Sequence, residues 1–308
     1  MKKIIILAAA FICAVSLQAQ GDLHLFSVDN KGDKITSITI EEVLTKNGFN
    51  VGIRSEMNKP FKIQFKETSF KAFTLLTVYH TKLSRELVLK YPDAGVITPM
   101  GVGIYQRLNE DTLHVSILTS QTQAKILGIK NNKILQGIEA DLVKALKKAM
   151  PNAKLKYSDV ALKQDAKLLT KYELELDEDS DAEETLEDIS MSLETEFKPF
   201  GFVVPASKLY NGVLSKDGSV DTPYDFYKTY SICKLKVIYT VAKTRPDAAA
   251  FAPCTTMVYK KKGEDKVILG FPSVYNWISS VNVEDKEAKS VLLKAQEDFE
   301  AILIEITE

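Results

Sequence analysis

The chain has 308 residues, with 40 Lys and Arg against 41 Asp and Glu, a net charge of −1 and 45% hydrophobic residues. A balance this close gives no electrostatic reason to expect nucleic acid or an anionic surface as a partner. The length suits two ordinary domains, and no apolar run beyond Ala19 is long enough to cross a membrane.

Residues 1–19 read as a signal peptide. Lys2 and Lys3 precede an apolar run from Ile4 to Val15, and Ala19 offers a small residue for cleavage. The run falls short of the roughly 20 residues that a membrane-spanning helix needs. The expectation is export by a Sec-type signal, cleaved near Ala19, to the periplasm or cell exterior. Cleavage would remove Cys13 and leave Cys233 and Cys254, the even count that one disulfide bond in an oxidising compartment requires.

Leu23 to Val28 reads as a strand, followed by a turn at Asp29–Asp33. Thr39 with Glu42 has capping-box spacing, and the helix it predicts stops at Asn47-Gly48, where glycine accepts positive φ. Phe49 to Ile53 alternates as a strand does. Residues 54–72 receive no assignment. Leu75 to Tyr79 reads as a buried strand, and Lys82 to Lys90 as a short helix that Pro92 terminates. Ile104-Tyr105 and Leu113 to Leu118 read as a hairpin around Asn109-Glu110-Asp111. Ile134, Leu135, Ile138, Leu142, Val143 and Leu146 mark a long amphipathic helix that ends before Pro151.

Residues 151–171 are lysine-rich and unassigned; ten of the sixteen residues from Glu173 to Asp188 are acidic. Tyr172 to Leu176 alternates as a strand. Ser180 with Glu183 offers a second capping box, and Leu186, Ile189, Leu193 and Phe197 line one face of the helix that follows. Val291, Leu292, Ala295, Phe299, Ile302 and Leu303 predict a final long helix.

The chain repeats itself. Residues 92–111 and 246–265 share seven of twenty positions without a gap, Pro92-Asp93-Ala94 returning as Pro246-Asp247-Ala248, Pro99 as Pro253 and Tyr105 as Tyr259. The register runs from Phe73–Ser120 to Tyr227–Val274, and Gly48-Phe49-Asn50-Val51 reappears as Gly201-Phe202-Val203-Val204, one residue out of step. A tandem duplication follows, with repeats over 20–158 and 159–308. A duplicated chain of this kind is expected to pack as a pseudo-dimer, one repeat against the other.

In the second copy an aromatic-rich strand, Tyr227 to Cys233, runs into the helix Leu235–Lys243. Pro246, a strand opening on Pro253-Cys254, and Val258-Tyr259 before Gly263-Glu264-Asp265 complete the pattern. This stretch resembles the bacterial and archaeal family known as domain of unknown function 302. The first copy resembles a more diverged member, with Tyr79 and Met100 where the second has Cys233 and Cys254. The resemblance implies an α+β fold, two tandem repeats of a small domain with an antiparallel sheet packed by helices. It brings no activity and no catalytic residues.

The chemistry-bearing residues are few. His24, His80 and His114 recur at no equivalent positions and have no spacing suited to a helical zinc site, so no metal set is assigned. Asp177, Asp179 and Asp181 have the spacing of a calcium loop, but Ala182 stands where its glycine is needed. Cys233, at a strand end before a helix and beside Lys234 and Lys236, is where a stabilised thiolate is expected. The function expected is a non-enzymatic module that binds a ligand or protein partner of unknown identity, with no cofactor assigned. The alternative is a thiol-disulfide or metal-handling protein using Cys233 and Cys254, whose joint replacement in the first copy suits a disulfide.

Overall fold

The computed structural model describes residues 21–163, 167–210, 214 and 222–308. The expected signal at 1–19, Cys13 included, lies outside the described residues. In the first half come strand β1 (Leu23–Asp29), helix α1 (Ser37–Lys46), β2 (Phe49–Glu56), α2 (Asn58–Phe65) and β3 (Phe70–His80). Helix α3 (Leu83–Lys90) leads through a 3-10 turn, Pro92–Val96, to β4 (Met100–Arg107), β5 (Thr112–Leu118), α4 (Ser120–Ile126), α5 (Lys133–Ala149) and β6 (Lys154–Tyr157). The second half holds β7 (Leu169–Glu175), α6 (Ala182–Phe197), β8 (Phe202–Leu209), β9 (Tyr224–Lys234) and α7 (Leu235–Thr244). A 3-10 turn, Pro246–Phe251, then precedes β10 (Cys254–Lys261), β11 (Lys266–Pro272), α8 (Tyr275–Ser280) and α9 (Lys286–Thr307).

Each half carries one antiparallel sheet, ordered β2-β3-β4-β5-β1-β6 and β8-β9-β10-β11-β7, so the fold is α+β. Strands β9, β10 and β11 start 154 residues after β3, β4 and β5, and β8 starts 153 after β2. The peptide bonds before Pro99 and Pro253 are both cis.

Several local expectations move. The first helix is capped by Thr36, whose side chain accepts from the Thr39 amide while Thr39 caps back, so the box lies three residues earlier than the Thr39–Glu42 spacing predicts. The acidic helix is capped by Asp181, which accepts from the Glu183 and Glu184 amides, rather than by Ser180. A carboxylate there also meets the positive end of the helix dipole. The unassigned stretch 54–72 contains α2, whose N-cap Met57 offers no side-chain cap and left no signature. The lysine-rich stretch 151–171 contains β6, which adds an edge to the first sheet by pairing Lys154–Tyr157 with Ser27–His24.

Strand alternation fixes the layering. Tyr230 on β9 reaches Ser190 of α6 across 2.6 Å, and Phe271 on β11 stacks on Phe299 of α9 with ring centroids 4.0 Å apart, so these helices cover the outer face of the second sheet. The opposite face looks at the first half. Tyr259 donates to Asp93 Oδ1 (3.1 Å) and Thr255 to the Pro99 carbonyl (3.2 Å). The contacts are reciprocal: the turn Pro92–Val96 lies on β10 and β11, and the turn Pro246–Phe251 on β4 and β5. Glycine permits this approach, since a Cβ on Gly101 would stand 2.3 Å from the Ala250 carbonyl oxygen. Helix α2 meets α7 at the flank, where Phe65 stacks on Tyr239 with ring centroids 4.0 Å apart. The two sheets thus face each other through reciprocal contacts between the turn of one half and the strands of the other.

Candidate functional site, a cleft between the two sheets

A cleft of about 160 Å³ lies between the halves, where β2 and β8 approach each other. Its first wall is Val51 and Gly52 of β2, Tyr79 of β3 and Pro99; its second is Ala206 to Lys208 of β8, Tyr210, and Thr229 and Ser231 of β9. Pairing explains why the second wall is polar. Lys208 is opposite Thr229 and Ala206 opposite Ser231, so these side chains and that of Tyr210 share the inner face. Tyr79, Pro99, Tyr210, Thr229 and Ser231 are buried, whereas Gly52, Ser207 and Lys208 are exposed at the mouth.

The hydrogen-bonding capacity of this lining is unspent. Tyr210 is 0% exposed and, among the described residues, its hydroxyl meets no partner in hydrogen-bonding geometry; the nearby Thr98 and Thr229 hydroxyls pull its pKa down against the larger upward push of burial. Among the described residues, the side chains of Tyr79, Ser207, Lys208, Thr229 and Ser231 likewise make no hydrogen bond or ion pair. Ser231 contrasts with its counterpart Thr77, whose hydroxyl accepts from the Ile53 amide (3.0 Å) at the bulge in β2. Burial pushes the phenols of Tyr79 and Tyr210 above the usual tyrosine range, so both remain protonated donors. Buried polar groups are ordinarily satisfied, and leaving one unpaired costs about 1–3 kcal/mol. The Tyr210 hydroxyl is such a group, and it faces a cleft whose other polar side chains are free to bond a guest.

The cysteines lie elsewhere. Cys233 and Cys254 are both free, and both border a small apolar cavity of about 30 Å³ with Phe202, Val237, Trp277 and Leu292. Cys254 stands opposite Ile232, not Cys233. The two thiols are nonetheless near enough for Cys254 to add to the upward push on Cys233, and they form no disulfide. Burial also reverses the expected thiolate. It raises the Cys233 thiol well above its ordinary value and pushes Cys254 up to about 12, although Cys233 does end its strand before α7.

Each histidine meets a carboxylate. His24 Nε2 lies 2.7 Å from Glu139 Oε1, His80 Nε2 3.1 Å from Asp141 Oδ2, and His114 Nε2 3.4 Å from Glu110 Oε2. Among the described residues no three His, Cys, Asp or Glu side chains come together to hold a metal. Sequence reasoning missed Lys208, Tyr210, Thr229 and Ser231. The one signal for them was the run Tyr227, Thr229, Ser231 on alternate positions of one strand.

Residues 178–306 match the family model described as Domain of unknown function DUF302. A solved structure titled "Crystal structure of uncharacterized conserved protein DUF302 from Bacillus stearothermophilus" is similar at 20% identity. That match covers 46% of this chain and 100% of the other, with a TM-score of 0.37. No curated protein matches the chain.

Proposed function

With residues 178–306 in the DUF302 family, a family without an assigned activity, we propose that the protein is a non-enzymatic binding module whose ligand is a small polar molecule seated between its two sheets. The observation that carries this reading is the buried Tyr210 hydroxyl, unpartnered among the described residues and set beside other unspent hydroxyls in a cleft of about 160 Å³. An apolar cavity of about 150 Å³ admits a molecule the size of benzene. The cleft has comparable room and, unlike such a cavity, hydrogen-bonding walls. Among the described residues no acid–base pair or nucleophile with an adjacent base lines it, which favours binding over catalysis.

The N-terminal pattern Lys2-Lys3, Ile4–Val15, Ala19 supports placing this activity in the periplasm or cell exterior. The thiol-disulfide or metal-handling reading has in its favour that Cys233 and Cys254 border one cavity. Their burial weighs against it.

Native mass spectrometry of protein purified without denaturant tests the proposal, with Ser231→Phe as the comparison because a phenyl ring there fills the cleft. A small-molecule adduct should accompany the natural protein and be absent from a Ser231→Phe variant of unchanged thermal stability. Equal adducts on both proteins, or none on either, would count against the cleft as a binding site.

A further inference from the structure

Resting on that binding reading, we propose that the cleft selects a small carboxylate, its charged end at Lys208 and its body against the paired rings of Tyr79 and Tyr210. The argument starts from the charges of the lining. Among the described residues it contains one cation, Lys208, and no Asp or Glu. Other lysines of the second sheet are engaged: Lys171 with Asp93 (2.8 Å), Lys234 with Asp298 (2.7 Å), Lys260 with Asp225 (2.6 Å) and Lys266 with Glu173 (3.1 Å). Among the described residues Lys208 has no such partner.

A cation at the mouth of a cleft walled by protein attracts an anion more strongly than it would in open water, because the effective dielectric is lower there. It repels a cationic ligand by the same physics. Inside, the hydroxyls of Thr229, Ser231 and Tyr210 can donate to a carboxylate or to a substituent, and the buried phenol keeps its proton for that purpose. The rings of Tyr79 and Tyr210, packed against each other with centroids 5.9 Å apart, give the ligand's body an apolar flank to rest on. Hydroxyls alone would suit a neutral ligand equally; the unpaired lysine at the entrance makes the difference.

Isothermal titration with three probes of one size separates the charge claim from the binding claim: benzoate, benzamide and benzylamine. The expected order is benzoate tightest and benzylamine weakest, with benzoate ahead of benzamide by about tenfold at low ionic strength. In Lys208→Met the benzoate advantage should shrink to within about twofold, while Lys266→Met, outside the cleft, should retain it. Equal affinity for benzoate and benzamide, or an advantage that survives Lys208→Met, would overturn the carboxylate assignment and leave the cleft reading standing. Failure of all three probes to bind would overturn both.

Discussion

The Tyr227 hydroxyl accepts a hydrogen bond from the Gly95 amide at 2.9 Å and donates to the Pro92 carbonyl, joining strand β9 of one half to the turn of the other. Tyr227 is 0% exposed, so water cannot replace the phenol. Tyr227→Phe should therefore destabilise the protein by about 1–3 kcal/mol, the cost of leaving a buried amide and carbonyl unpaired. Urea unfolding monitored by circular dichroism would measure it, and an unchanged midpoint would show that this bond contributes nothing to the seam.

Two glycine substitutions should have opposite signs. Gly101→Ala places a Cβ 2.3 Å from the Ala250 carbonyl oxygen, a backbone atom that can move only by parting the halves. A loss of roughly 1–3 kcal/mol is expected from such overpacking. Gly137→Ala, inside α5, meets only the flexible end of Leu83 at 3.1 Å. It should stabilise the protein by up to about 1 kcal/mol through better helix propensity. Thermal melts of the two variants would reveal both signs.

Cys233 and Cys254 should be free yet unreactive. With one thiol at about 12 and the other also raised by burial, the thiolate fraction near neutrality is minute. Iodoacetamide at pH 8 should leave both unmodified in the native protein and label both after unfolding, as read by peptide mass mapping. Rapid native labelling would contradict the burial. Absence of labelling after unfolding without reductant would reveal a disulfide after all.

Asp298 supplies a pH dependence. Burial alone would raise its pKa, but Lys234 Nζ at 2.7 Å and Lys294 Nζ at 2.6 Å more than offset this and hold it below the usual carboxylate range. A carboxyl lowered in the folded state contributes stability that is complete above its unfolded pKa, near 4 for Asp, and lost as pH falls through the lower folded value. Asp298→Asn should reduce stability at pH 7 by about 1–3 kcal/mol and flatten the acid limb of the stability curve. Parallel acid limbs in the variant and the natural protein would refute the assignment.

The fold was largely legible because its signals are local. Pro92 ended α3, the period of Leu135, Ile138 and Leu142 marked α5, and the repeat of Pro99 as Pro253 aligned two sheets with the same strand order. Helix α2 escaped because Met57 gives no capping signal, and β6 because only pairing with β1 makes Lys154–Tyr157 a strand. The cleft was not legible at all. Tyr79 and Tyr210 are far apart in sequence and meet only once the halves dock, and no local pattern distinguishes a hydroxyl that will find a partner from one that will not. The cysteines show a related limit: spacing brings both to one sheet edge and one cavity, but the register, with Cys254 opposite Ile232, is not readable from spacing.

Sheets related by a twofold axis and built from two identical chains would be obliged to show a guest the same surface on both sides. Here the counterpart of Thr229 is Leu75 and that of Ser231 is Thr77, whose hydroxyl is already committed to Ile53. Joining the halves in one polypeptide has let each mutate alone, so one wall of the cleft is greasy where the other is wet. A molecule held there would lie in a single orientation, head distinguished from tail, which no symmetric pair of subunits could impose at its axis.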